Sequence, residues 1–180
     1  MEREIEVKLL GIDNEILEKK LISLGAELIG KEIQENININ SSIHPIDPKL
    51  GYLRIRTTKY LDNNEEKIYF TFKEQINNVG ARENIEHTTI ISSKEELIKV
   101  LTLLGYDIYD IGNKKRVSYL YKKCRFDFDI WDEDTFPIRY IEVEAPNKEK
   151  LYEILKELKI SKQAISTLSI AELKNMLKKL

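Results

Sequence analysis

Charged residues in this chain are sorted by strand parity, and nothing else in the sequence narrows the fold so much. Glu2, Glu4, Glu6 and Lys8 fall on one side of a period-2 alternation, with Ile5, Val7 and Leu9 on the other. Such a pattern is a β-strand with two unlike faces. Tyr52, Arg54 and Arg56 alternate in the same way with Leu53 and Ile55. After a turn at Asp62, Asn63 and Asn64, Tyr69, Thr71 and Lys73 alternate with Ile68, Phe70 and Phe72, so the two segments read as a hairpin. Arg82, Asn84 and Glu86 alternate less cleanly with Glu83 and Ile85, and Lys114 and Arg116 lead into Val117, Tyr119 and Tyr121. The last two strands are the most regular. Arg125, Asp127 and Asp129 oppose Phe126, Phe128 and Ile130, while Tyr140, Glu142 and Glu144 oppose Ile141, Val143 and Ala145.

Helical periodicity separates these strands. Asp13 can cap a helix carrying Ile16, Leu17, Leu21 and Leu24 and closed by Gly25. Ser92 and Glu95 form a capping-box pair ahead of Leu97, Val100, Leu101 and Leu104, with Gly105 closing. The two units look alike, each a strand, a helix, a Leu-Gly pair and another strand, which hints at an internal pseudo-repeat. Asn147 opens a third helix with Leu151, Ile154, Leu155 and Leu158 inward, and a fourth is expected from about Ser169 to Lys179. Segments 41–51 and 75–81 read as loops. No linker stands out, so residues 1–180 are taken as one domain.

A half-buried sheet also alternates, but its wet face mixes Lys, Glu, Ser, Thr and Asn. Here the polar parity is almost wholly Glu, Asp, Arg and Lys, and it comes in blocks of one sign. Acids fill the first strand and the last two; Arg54, Arg56, Lys73, Lys114 and Arg116 lie between them. Like charges two residues apart on one strand face sit roughly 7 Å apart and repel. Each block therefore needs something to neutralise it. Carboxylates suit hard cations such as Mg²⁺, and guanidinium and ammonium groups suit phosphate oxygens. A polyphosphate carrying metal ions satisfies both blocks at once. If the sheet closes so that its first and last strands meet, the acids form a metal patch, the bases line the facing wall, and the apolar parity turns outward against the helices.

Composition removes several alternatives. The 29 basic and 31 acidic residues nearly cancel, so no net field draws nucleic acid or an anionic membrane. No apolar run approaches the roughly 18 residues of a membrane helix. A start of Glu2-Arg3-Glu4 is unlike a signal peptide, and a lone Cys124 forms no internal disulfide and supports no zinc site. The expected setting is the cytoplasm. His44 and His87 have no partner at metal-ligand spacing.

These residues resemble the CYTH domain, or triphosphate tunnel metalloenzyme, superfamily. The resemblance rests on Glu4-Ile5-Glu6-Val7-Lys8 as its ExExK strand, Leu53-Arg54-Ile55-Arg56, Thr71-Phe72-Lys73, and the strand from Arg82 to Glu86. It continues with Lys114-Lys115-Arg116, Phe128-Asp129-Ile130-Trp131 and Glu142-Val143-Glu144, in the family's order and over nearly the whole chain. It implies an α+β fold, a closed eight-stranded antiparallel β-barrel with helices packed outside, acting on a small-molecule triphosphate. By position, Glu4, Glu6, Glu142 and Glu144 would hold Mg²⁺ or Mn²⁺, with Asp129 assisting. Lys8, Arg54, Arg56, Lys73, Arg82, Lys114 and Arg116 would bind phosphate oxygens, and Lys8, Arg56 and Lys73 carry the implied catalytic roles. Relatives often pair, so a homodimer is among the expectations.

Two departures stand out. The REExE form becomes Arg82-Glu83-Asn84-Ile85-Glu86, and the stretch between Asp129 and Tyr140 lacks the glycine that many members have there. The implied chemistry is hydrolysis of tripolyphosphate or of a thiamine or nucleoside triphosphate. Cyclisation of ATP to cyclic AMP, as in class IV adenylyl cyclases, and a non-catalytic polyphosphate-binding module are the alternatives. Tyr52 and Tyr69 share the basic parity and read as packing residues, with substrate contact as the alternative, and Trp131 is placed at a strand end, with the tunnel mouth as its alternative.

Overall fold

The computed structural model describes residues 2–177. Its elements run β1 (Glu2–Leu10), α1 (Asn14–Ser23), β2 (Glu27–Asn40), β3 (Gly51–Tyr60), β4 (Glu66–Asn77), β5 (Arg82–Ile91) and α2 (Lys94–Leu103). They continue with β6 (Ile108–Tyr121), β7 (Cys124–Trp131), β8 (Tyr140–Ala145), α3 (Lys148–Glu157), β9 (Ile165–Ser166) and α4 (Ile170–Leu177). Eight strands pair antiparallel in the order β5-β4-β3-β2-β6-β7-β8-β1, and pairing of β1 with β5 closes the ring into a barrel. The expected closed eight-stranded barrel is present. Closure abolishes the free edges of the ring and forces each strand to keep one parity inside.

The apolar parity faces out, so the hydrophobic cores lie between barrel and helices. In the largest, Ile5, Val7 and Leu9 of β1, Tyr119 of β6, Phe126 and Phe128 of β7 and Ile141 and Val143 of β8 pack with Leu17 and Leu21 of α1 and Leu151, Ile154 and Leu155 of α3. Each fully buried aliphatic there contributes about 1.5–3 kcal/mol. A second core puts Ile37, Ile39, Leu53 and Ile55 under Leu101 of α2. A third, at one end of the barrel, gathers Phe136, Tyr140 and Leu173 of α4 with Leu10 and Trp131.

Local signals set the helix starts. Asp13 Oδ1 accepts a hydrogen bond from the Ile16 amide at 3.0 Å, and Asn147 Oδ1 accepts one from Lys150 at 2.8 Å. The second cap falls one residue later than the sequence suggests. Ser93, in extended geometry, accepts from the Glu96 amide, because Ser92 lies directly after the end of β5. At α4, Ser169 and Glu172 bond reciprocally, a true capping box. The expected continuation through Lys178 and Lys179 lies outside the described residues. Segment 75–81 is not all loop: β4 continues to Asn77 through a register irregularity between Gln75 and Asn77.

The short strand β9 has one positional consequence. β5 pairs with β1 from Glu2 to Glu6, and β9 takes over beside Lys8 and Leu9. The chain thus arrives at the end of the barrel near Arg82, and α4 follows there. At the same end Thr135 lies against Gly112 of β6. A Cβ on Gly112 would come within 2.5 Å of the Thr135 hydroxyl, so only glycine permits this approach.

Candidate active site

Parity delivers the side chains inward, and the ring closure brings them together. A cavity of about 550 Å³ opens at the end of the barrel near α4. Lys8, Arg54, Arg56, Lys73, Arg82, Lys114 and Arg116 all line it, as do Glu4, Glu6 and Glu142. Glu144 and Asp129 do not. Beyond the cavity, inward-facing Gln34, Thr58, Thr71, Ser118 and Asp127, each at most 3% exposed, fill the lumen.

The acids are turned toward bases. Lys73 forms ion pairs with Glu4, Glu6 and Glu86; Lys8 Nζ lies 3.1 Å from Glu142. Asp129, fully buried, spends both oxygens on Lys114 at 2.8 Å and on a bidentate pair with Arg116 at 2.7 Å. It therefore acts on the site by fixing two bases. Arg116 also meets Asp127 at 2.6 Å and Glu142 at 3.5 Å. Although burial opposes it, the cations Lys8 and Arg116 hold the Glu142 carboxyl well below the usual range.

Arg56 differs from these bases. Its Nε donates to Asn36 Oδ1 at 2.8 Å, but it has no acid partner among the described residues. Burial, with Arg54 and Arg116 beside it, pushes its guanidinium down to about 10. A half-buried cation among cations and without an acid partner is costly, and an anion is the group that relieves it.

The acid side has a matching excess. Glu6 and Glu144 face each other across the β1–β8 pairing, a repulsive arrangement. Burial, followed by the charges of Glu4, Glu6 and Glu142, raises Glu144 to about 8. Burial also raises Glu4, with Glu86 and Glu6 adding to the effect. Lys73 meets Glu4 Oε2 as an ion pair, but the same ammonium is shared with Glu6 and Glu86. Among the described residues no three acidic, histidine or cysteine side chains converge as ready-made metal ligands. The donor chemistry nevertheless fits a divalent cation. It offers only hard carboxylate oxygens, and three of the carboxylates, Glu4, Glu6 and Glu86, share the one ammonium of Lys73.

The surplus sets a pH dependence. Between about pH 4.5 and 8 the folded protein holds a proton on Glu144 that the unfolded chain releases, so stability falls as pH rises through that window. In EDTA the expected loss is roughly 1–3 kcal/mol after solvent screening is allowed for. Glu144→Gln flattens it. Chemical denaturation at pH 5, 6.5 and 8 reads the slope, and a wild-type slope retained in the variant would refute the attribution.

Several cavity residues were not singled out by sequence. Asn36 and Asn38 of β2 line the wall, but a neutral polar parity leaves no charge signal. Glu86, which the sequence places on the inward parity without a role, lies in the cavity, 3.4 Å from Lys73 and 3.5 Å from Arg54. Tyr52 and Trp131, read as packing residues, also line it: Lys114 Nζ sits 5.1 Å from the Trp131 ring centroid, and Trp131 Nε1 donates to the Tyr140 hydroxyl at 2.9 Å. Tyr69 instead shares a hydroxyl hydrogen bond with Tyr60. His87 is exposed and bonds Glu74.

Known structures share this architecture. The PH1819 protein of Pyrococcus horikoshii OT3 is 25% identical, with 98% of this chain and 99% of that one covered and a TM-score of 0.76. A Vibrio parahaemolyticus protein provisionally named adenylate cyclase is 14% identical over 96% of this chain and 97% of its own, with a TM-score of 0.75. HpAC1 from Hippeastrum, provisionally named an adenylyl cyclase and described as revealing a dominant triphosphatase activity, is 16% identical over 92% and 91%, with a TM-score of 0.61. No curated protein matches the chain by sequence. The CYTH domain family model matches residues 2–169. With its fold and nearly its whole length accounted for in this way, the chain belongs to the CYTH domain family.

Proposed function

We propose that this protein is a divalent-metal-dependent triphosphatase that hydrolyses inorganic tripolyphosphate or an organic triphosphate. One observation carries the reading: Arg56, a half-buried guanidinium without an acid partner among the described residues, stands among Arg54, Lys114 and Arg116 in the wall of the cavity. Four convergent cations in a restricted volume favour an anion with several charged groups over a single phosphate. The CYTH membership and the triphosphatase activity described for HpAC1 support the same direction.

Arg54, Arg56, Lys114 and Arg116 would bind spectator phosphate oxygens and offset charge as it develops in the transition state. Asp129 and Asp127 keep Arg116 from swinging away. Lys8 and Lys73 stand between the acid and base blocks, each already ion-paired to acids, and so suit the oxygens nearest the reacting phosphorus. Glu4, Glu6, Glu142 and Glu144 would hold Mg²⁺ or Mn²⁺, which when bound supplies charge neutralisation on the phosphate oxygens and activates water. The setting proposed is cytoplasmic; no helix among the described residues is long and apolar enough to cross a membrane.

Purified protein is assayed with tripolyphosphate, thiamine triphosphate and ATP, each with Mg²⁺ and with Mn²⁺. The expected product is orthophosphate, lost on addition of EDTA. Pyrophosphate with cyclic AMP as the main product from ATP would replace hydrolysis by cyclisation, and no turnover with any of the three would overturn the enzyme reading.

A further inference from the structure

Where β2 borders the cavity, its side chains are Asn36 and Asn38, and neither carries a charge. Asn36 stands directly opposite Arg56 in the β2–β3 pairing and opposite Gly112 in the β2–β6 pairing. It is 1% exposed. The orientation of its amide is fixed, because Arg56 Nε donates to Asn36 Oδ1 at 2.8 Å and only the amide oxygen can accept from an N–H. The amide nitrogen is therefore placed by default. Asn36 Nδ2 is buried and finds no acceptor among the described residues, and Gly112 on the other side has no side chain to supply one.

A buried donor without a partner is a cost to the fold. Aspartate, the same shape as asparagine, would remove it: a charged oxygen would accept from Arg56 Nε, and the unmatched donor would become a second acceptor among cations. Pairing with acids is the rule elsewhere in the cavity. Lys8, Arg54, Lys73, Arg82, Lys114 and Arg116 each meet at least one carboxylate. Arg56 alone of the bases identified from sequence meets an amide in place of an acid among the described residues. The amide tethers the guanidinium but leaves its charge unanswered. We propose that Asn36 is a positioning residue that holds Arg56 at the cavity wall while keeping its charge free, so that an incoming polyphosphate, and not the barrel, neutralises it. This rests on the triphosphate reading above.

The test pairs calorimetric titration of tripolyphosphate with thermal melts of the free protein, both in EDTA so that turnover does not intervene. The variants are Asn36→Asp, Asn36→Leu, Arg56→Gln and the double variant Asn36→Asp/Arg56→Gln. Asn36→Asp is expected to weaken tripolyphosphate binding about 10- to 100-fold, the range for one charge-assisted hydrogen bond. Its melting temperature rises by about 2–4 °C, so binding and stability move in opposite directions. In the Arg56→Gln background the same substitution lowers the melting temperature, because the new carboxylate is buried without its cation. Asn36→Leu adds no charge, and the lost tether weakens binding about 3- to 10-fold. Affinity unchanged in Asn36→Asp or in Asn36→Leu would overturn the positioning role and leave the triphosphate reading standing. A melting temperature that rises equally with and without Arg56 would overturn it too, since another base would then be answering the carboxylate. Wild type that binds no tripolyphosphate would overturn both readings.

Discussion

Glu4→Gln is expected to lower metal-dependent triphosphate turnover by about 100-fold or more while the melting temperature stays level or rises. The two halves of this result have one cause. Burial and the neighbouring carboxylates of Glu86 and Glu6 raise the Glu4 carboxyl, so its negative charge is a cost to the folded protein. An amide of the same shape removes that cost. Lys73, its ion partner, keeps Glu6 and Glu86, each at 3.4 Å. The proposed cation site, in contrast, loses a charged ligand that an amide oxygen replaces poorly. Activity with Mg²⁺ or Mn²⁺ and a thermal melt in EDTA give the two readouts. Unchanged turnover would remove Glu4 from the metal set, and a fall in melting temperature would show that its charge serves the fold. Glu142→Gln makes the contrast, since Glu142 is held ionised by Lys8 and Arg116 and its loss takes from the buried Lys8 ammonium its ion partner.

Arg56→Gln is the matching experiment on the opposite wall. We expect kcat/KM for triphosphate to fall about 100- to 1,000-fold, the range for loss of one preorganised charge-stabilising donor. Stability should hold, because burial and the adjacent Arg54 and Arg116 already oppose the charge that the substitution removes. The amide can still bond Asn36. Arg116→Gln should behave differently: it leaves Asp127 and Asp129 buried without their principal partner, and the protein should lose several kcal/mol. A loss of activity below threefold in Arg56→Gln would discard the observation on which the functional reading stands.

The two substitutions share a logic. Residues whose charge the fold disfavours are those that a ligand must satisfy, and residues whose charge the fold favours keep the others in place. Sequence alone does not separate the two groups. Asp129 and Glu4 both appear there as acids on an inward parity, yet one is consumed by Arg116 and Lys114 and the other shares a single ammonium with Glu6 and Glu86. The parity itself was legible because charge alternating with Ile, Val and Phe has one structural meaning. The wall formed by β2 was not, because Asn36 and Asn38 are neutral and could equally face water. The position of α4 was hidden for another reason. Its amphipathic pattern marks a helix, but its seat over the mouth depends on β9 pairing with Lys8 and Leu9, a long-range contact that no local window contains.

Because the apolar residues point away from the lumen, this barrel is inside out relative to one whose interior is oil. Cohesion resides in an outer shell, where Leu151 and Ile154 of α3 sit against β1, β7 and β8, and the charged side chains reside in a separate inner lining. Random drift in the lining can therefore retune what the molecule recognises with little threat to folding, provided that opposite charges stay counterbalanced. Surface selection on the shell proceeds independently. Proteins sharing as little as 14% of their residues with this one, yet superposing on it at a TM-score of 0.75, are what such a partition would leave behind.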